Sequence, residues 1–433
     1  MEEILAKAKS VAEEAEVFMV SSEDTSVQFE ANRLKHVQSK QSVSVSLRVI
    51  KKGRIGYATA TTLDDAGNLV NMAVETAQFG QSAEFQFTPL TPYHQFRIFD
   101  SRTEKVSPET MTKLGEEMIS TVRKHTPGLL CEGGVGRSVT TVSLMNSRGG
   151  QANYKTSYFG LGIEAQLVRN TDMLFVGESQ SSCRPILETG EVTGVILRQL
   201  EQAKTQASVR TKSMPVVFTT QGVASALISP LMAAFNGKMV LEGASPIGNK
   251  LGKLVFDKNL SVRDDPTVAY RPSSRPCDDE GVPSQRTPLI RRGVVSNFLY
   301  DLQTAGLAKT KSTGNGNRGR GAMPAPSPSA FIISPGKTTF DEMVSDIKEG
   351  LVVEQLMGAT QGNVLGGDFS GNVLLGYKIE NGKIVGRVKD TMVSGNIYKL
   401  LKDIAAIGSE SRWEGSFLNT PPLYLTNVSV ASK

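Results

Sequence analysis

At 433 residues, 39% of them hydrophobic, the chain is long enough to bury substantial cores in two or three domains. Its formal net charge of +5 is too dilute over that length for the footprint of a nucleic-acid binder. Met1–Ser10 carries Glu2 and Glu3 before any apolar stretch, and no apolar run approaches membrane-spanning length, so a cytoplasmic protein with neither membrane nor direct nucleic-acid contact is expected.

Ile4, Ala8, Val11, Ala12 and Ala15 fall at helical spacing, and Val43, Val45, Leu47 and Val49 then alternate with polar residues as in a half-buried strand. Lys51-Lys52-Gly53 turns that strand into a hairpin with Ile55–Ala60. Asp64 is a candidate N-cap for a second amphipathic helix through Leu69, Met72, Ala73, Thr76 and Ala77. After a proline-bearing connector, Thr88–Pro92, the pair Ser107-Pro108 has the N-cap and first-turn proline of a helix whose stripe is Met111, Leu114, Met118, Ile119 and Val122.

Antiparallel strands follow at Val139–Leu144 and Phe159–Leu167 around a turn at Asn146–Gly150, and a helix through Val192, Ile196 and Leu200 closes this half. The polar stretch Val209–Lys212 is the expected boundary, which gives an N-terminal α+β domain over 1–210 (sub-units 1–87 and 93–210) and a mainly β domain over 211–433. In the second half Val216–Thr220 is strand-like, and the apolar run Val223–Phe235 should kink or end at Pro230. Asn381-Gly382, between Gly371–Ile379 and Ile384–Val388, is a hairpin signal. The fold class is α+β, with a barrel or a large antiparallel sheet in the C-terminal half.

Cys131, Cys183 and Cys277 are odd in number and lack CxxC spacing, so free thiols are expected. Cys277 stands beside the acidic run Asp278-Asp279-Glu280, which should raise its thiol pKa. Gly314, Gly316 and Gly319 spell GxGxxG, but a dinucleotide site needs a helix after the glycines, and RGAMPAPSPS cannot supply one. Arg318-Gly319-Arg320-Gly321 lacks the interleaved aromatics of an RNA-binding segment. His36, His94 and His125 all lie in the N-terminal half, none with a second ligand at metal spacing.

Five segments in order carry a resemblance: Ser273–Pro288 (SSRPCDDEGVPSQRTP), Lys311–Gly314 (KSTG), Gly350–Gly358 (GLVVEQLMG), Gly367–Ile384 (GDFSGNVLLGYKIENGKI) and Ser394–Ile397 (SGNI). Together they resemble the C-terminal domain of the TldD/PmbA family of zinc peptidases, with a weaker likeness over Phe29–Ala60. TldD-type members hold zinc with a HExxxH helix and a cysteine near the C-terminus; TldE/PmbA-type members lack both. Here the corresponding helix, Gly222–Phe235 (GVASALISPLMAAF), has no His or Glu, and Ser409–Pro422 has no cysteine.

The resemblance therefore implies a TldE/PmbA-type chain with no catalytic or metal-ligating residues of its own, zinc belonging to a TldD-like HExxxH partner. The pair would form a peptidase that takes in unstructured peptides. It also implies a cleft lined by Asp279, Glu280 and Gly281, by Ser312, Thr313 and Gly314, and by Gly366, Gly367 and Asp368. The family's older description, modulator of DNA gyrase, implies the alternative of a homodimeric interaction protein without peptidase activity.

Overall fold

The computed structural model describes residues 1–170, 172–319 and 323–432. Its N-terminal half is organised by one six-stranded antiparallel sheet of unusually long strands: β1 (Glu14–Glu30), β2 (Arg33–Lys51), β3 (Arg54–Ala60), β4 (Leu130–Asn146), β5 (Gln151–Arg169) and β6 (Asp172–Ser182). Their order across the sheet is β3-β2-β1-β4-β5-β6. Two-residue turns with positive φ at Ala31 and Asn32, and at Lys52 and Gly53, reverse the chain between β1, β2 and β3.

The first helix spans Glu2–Lys9, shorter than the apolar spacing predicts, because Ala15 begins the buried face of β1. That strand escapes a periodicity reading: Glu14–Glu30 interleaves buried Glu16 and Thr25 with apolar residues. The helix Ala66–Ala77 is capped by Asp65, one residue beyond the expected Asp64. Ser107 caps Pro108–His125 as the sequence indicates. This long helix and Gly190–Gln202 cover one face of β4–β6, where Val135, Phe159, Leu161, Ile163 and Val176 are buried.

In the C-terminal half five strands close a barrel. Lys212–Phe218 lies between Glu349–Met357 and Leu423–Ser432; Thr391–Asn396 follows, then Asp368–Glu380, which pairs back onto Glu349–Met357. Full closure leaves these strands without free edges. Asn381 (φ 50°) and Gly382 (φ 75°) form the expected tight turn into Lys383–Val388. The run after Phe218 is two short helices, Thr220–Ala226 and Ile228–Ala234. They break at Leu227, because Pro230 can neither donate to the carbonyl of Ala226 nor pass it without a clash. No described helix is long and apolar enough to cross a membrane.

The two halves share one core. Val217, Val352, Leu375, Tyr377 and Tyr424 of the barrel pack with Leu161, Ile163 and Ile196 of the N-terminal half.

Candidate functional site

The residues that sequence places in a cleft fall into two groups. Asp279, Glu280 and Gly281 lie at the seam between the halves, and the Ser312–Gly314 loop packs against the adjoining stretch, with Gln285 donating to the Ser312 carbonyl. Gly314 lies against Pro283, its φ of 72° leaving no room for a Cβ 2.8 Å from the Pro283 carbonyl oxygen. Thr313 Oγ1 accepts from the Tyr300 N–H at 2.8 Å, and Ser312 Oγ donates to the Tyr300 carbonyl. Gly366, Gly367 and Asp368 lie instead around Asn396 and Tyr398, with Asn396 Nδ2 donating to the Gly366 carbonyl and to Asp368 at 2.8 Å each.

At the seam Asp278 and Glu280 are buried and Asp279 is partly so, unlike a solvated turn. Glu280 accepts from Arg48 at 2.6 Å and from the Leu302 N–H at 2.7 Å; Arg48 also donates to Glu16 at 2.9 Å, and Glu16 pairs with Arg318. These four side chains are at most 2% exposed and alternate in sign. Arg48 is flanked by the rings of Phe85 and Phe87 at 4.7 and 4.9 Å, and Arg318 lies over Phe18.

Asp278 accepts from three backbone amides, Glu280, Val282 and Gly316, while burial and the neighbouring Glu280 raise its pKa. Asp279 accepts from Arg275 at 3.1 Å and from the Arg318 N–H at 2.7 Å. Burial first, and Asp278 second, push the Cys277 thiol up to about 12. Arg318 is thus an internal ion-pair partner, and Arg320 lies outside the described residues. Gly316–Asn317 pairs with Ala325–Pro326 as a small antiparallel ribbon.

The open chemistry lies elsewhere, in a groove of about 1220 Å³ across the uncovered face of the long sheet. Its floor is rich in glycine, since Gly134 pairs with Gly162 and Gly136 with Gly160 in the β4–β5 ladder, with the Tyr158 ring lying over Gly160. One wall is the helix Thr220–Ala226, and the other is the segment Glu414–Ser416. That helix sits close to the barrel because Gly222 has no Cβ to meet the Val353 carbonyl oxygen, which would be 2.2 Å away.

Polar groups converge where β6 meets this helix. Gln221 donates to the Gly177 carbonyl at 3.1 Å, and Gln199 accepts from the Gly177 N–H at 3.0 Å, so side chains cap the edge of β6. Burial raises the pKa of Glu178 and of Glu354, and pushes Glu414 up to about 7. Arg198 and Arg412 partly offset the three carboxylates. None of these acids stands out in sequence, whereas the glycine alternation at 134/136 and 160/162 was a readable sign of a bare sheet face.

The two helices of the Thr220–Ala234 run carry Gln221, Ala224, Ser225, Ser229, Met232 and Ala233 at their half-buried positions. None of these suits a zinc ion, which takes imidazole, thiolate or carboxylate ligands. Among the described residues no three of His, Cys, Asp and Glu are placed to hold a metal ion. A resident metal does not fit this region. His125 is occupied with Glu201 at 2.5 Å.

Comparison with known proteins agrees with this architecture. Residues 211–432, just over half of the chain, match the model of the PmbA/TldA metallopeptidase C-terminal domain, and residues 15–77 match that family's domain 1. An uncharacterized protein of Methanocaldococcus jannaschii is 28% identical over 397 residues, covering 90% of both chains. A metalloprotease of Methanothermobacter thermautotrophicus is 29% identical over 179 residues, which span 41% of this chain and only 39% of that one. The crystal structure of TldE from Thermococcus kodakarensis superposes with a TM-score of 0.91 over the full length of both chains at 21% identity, a likeness of fold.

Proposed function

The chain belongs to the PmbA/TldA metallopeptidase family, and on that premise we propose that it is a metal-free, TldE-like subunit that holds unstructured peptides for a HExxxH-bearing partner. The observation that carries the reading is the groove itself, bounded by the helix where the family's zinc peptidases keep their ligands and walled there by Gln221, Ala224 and Ser225. Where Gly134, Gly136 and Gly162 form the floor an extended backbone can approach the sheet closely, and the polar groups along the wall fix its orientation. With its edge at Gly177 capped by Gln199 and Gln221, β6 is not free to accept a substrate strand there, so the peptide lies over the sheet face.

Zinc chemistry belongs to the partner in this reading. The test is to purify the chain alone and after coexpression with a HExxxH homologue from the same organism. Alone it should carry no stoichiometric zinc and cleave no unstructured peptide; the coexpressed pair should copurify and show chelator-sensitive peptidase activity. Chelator-sensitive cleavage by the isolated chain, or a chain that never associates with the homologue, overturns the proposal.

A further inference from the structure

A second cavity, of about 990 Å³, adjoins the groove and shares its wall Glu178–Ser181. Its character is different, because Arg271 and Trp413 are among the residues that line it. The guanidinium of Arg271 stacks over the Trp413 ring, 4.5 Å from the centroid, and one of its nitrogens donates to the Ser181 carbonyl at 3.1 Å. No carboxylate among the described residues forms an ion pair with it. Burial lowers its pKa, as expected for a cation taken partly out of water without an anion.

The backbone is held under strain to put it there. Tyr270, directly before it, has φ 58°, a left-handed conformation unfavourable for a bulky residue. The strain persists because the Tyr270 N–H donates to the Arg97 carbonyl at 2.6 Å and its carbonyl accepts from the Cys183 N–H at 3.0 Å. Of the acids lining the cavity, Glu191 accepts from Gln180 and Glu178 accepts from Gln221 and the Ser179 N–H, while Glu188 is exposed and makes no ion pair with Arg271. Arg102 is paired with Asp100. An unpaired, desolvated, stacked guanidinium in a cavity wall is suited to a planar anion, which it can grip with two parallel N–H donors.

We infer that Arg271, backed by Trp413, receives the C-terminal carboxylate of an extended peptide whose main chain continues past Glu178–Ser181 over the glycine floor. The inference rests on the peptide-holding reading above and adds a direction and a substrate class to it: peptides that present a free C-terminus. An arginine fork on a carboxylate gives more than positioning, because the same site rejects a neutral terminus by leaving the cation unpaired.

The test compares one fluorescein-labelled, unstructured Ser/Ala-rich peptide in three forms: free C-terminal acid, C-terminal amide, and amide with a single internal Asp. Affinity is read by anisotropy on the full chain and on its coexpressed complex. The acid should bind roughly tenfold or more tightly than the amide. Arg271→Gln should weaken the acid to the level of the amide while leaving amide affinity and the circular-dichroism melt in place. Equal binding of acid and amide to the wild-type protein overturns the inference without any variant. So does an equal loss of both forms in Arg271→Gln, and so does an internal-Asp amide that binds as well as the acid. If no form binds to the chain or the complex, the peptide-holding reading falls first and takes this inference with it.

Discussion

The seam and the groove both gather buried charge, and they resolve it in opposite ways. At the seam Glu16, Arg48, Glu280 and Arg318 alternate in sign, so each charge is taken up inside the protein. Glu178 and Glu414 in the groove, with the buried Glu354 beside them, share only partial compensation from Arg198 and Arg412, and in the adjoining cavity Arg271 has no carboxylate ion-pair partner among the described residues. Charges that satisfy one another hold parts of a protein together; charges left partly unsatisfied in a cavity are available to a ligand. The first of the five family-like segments, Ser273–Pro288, holds Glu280 and so lies on the self-satisfied side of this division.

The largest effect that could break the comparison is at the seam. Glu280→Ala would leave Arg48 buried with half of its partners and the Leu302 N–H unpaired, and removing one member of a buried ion pair costs about 3–5 kcal/mol. A loss of that size in denaturant unfolding, with its slope unchanged, is expected. If stability were untouched while peptide capture vanished, Glu280 would belong with the groove, and the division drawn here would fail.

Asp279→Ala should have a smaller effect of the same kind. It removes a contact to Arg275 and an acceptor for the Arg318 N–H, and an orphaned polar group of this sort costs about 1–3 kcal/mol. A thermal melt run beside a peptide-binding assay separates the roles. A lowered melt with normal binding places Asp279 in the seam, whereas a normal melt with lost binding would make it a cleft residue.

Local signals carried much of the fold. The Ser107-Pro108 cap, the Asn381-Gly382 turn and the stripe Val192, Ile196, Leu200 are each decided by a few neighbouring residues, and each reads correctly. β1 was illegible because its buried Glu16 and Thr25 break the apolar alternation, and what licenses a buried Glu16 is Arg318, 302 residues away. The candidate site suffers the same limit: Glu178, Gln221 and Glu414 meet only after β6, a barrel helix and the C-terminal loop are assembled. The seam shows the converse, since Asp278-Asp279-Glu280 looks like a solvated turn until Arg48 arrives from β2, 232 residues away, to pair with Glu280.

The remaining expected effect lies in the groove and sharpens the comparison through pH. Burial raises the Glu414 pKa from 4.5 to about 7, so between those values the folded chain binds more protons at this group than the unfolded chain does. Stability contributed by this group therefore falls as pH rises from 4.5 towards 7, and above 7 the folded protein carries the full penalty of a poorly solvated carboxylate. Glu414→Gln keeps a side-chain acceptor for Thr220 and cannot ionise. The variant should melt with the wild type below pH 4.5, gain on it progressively through the window, and hold a constant advantage above pH 7. A melting difference that does not vary with pH would show that the Glu414 charge is compensated as fully as those at the seam, and the groove would lose its distinction as the side of the molecule that leaves charge for a ligand.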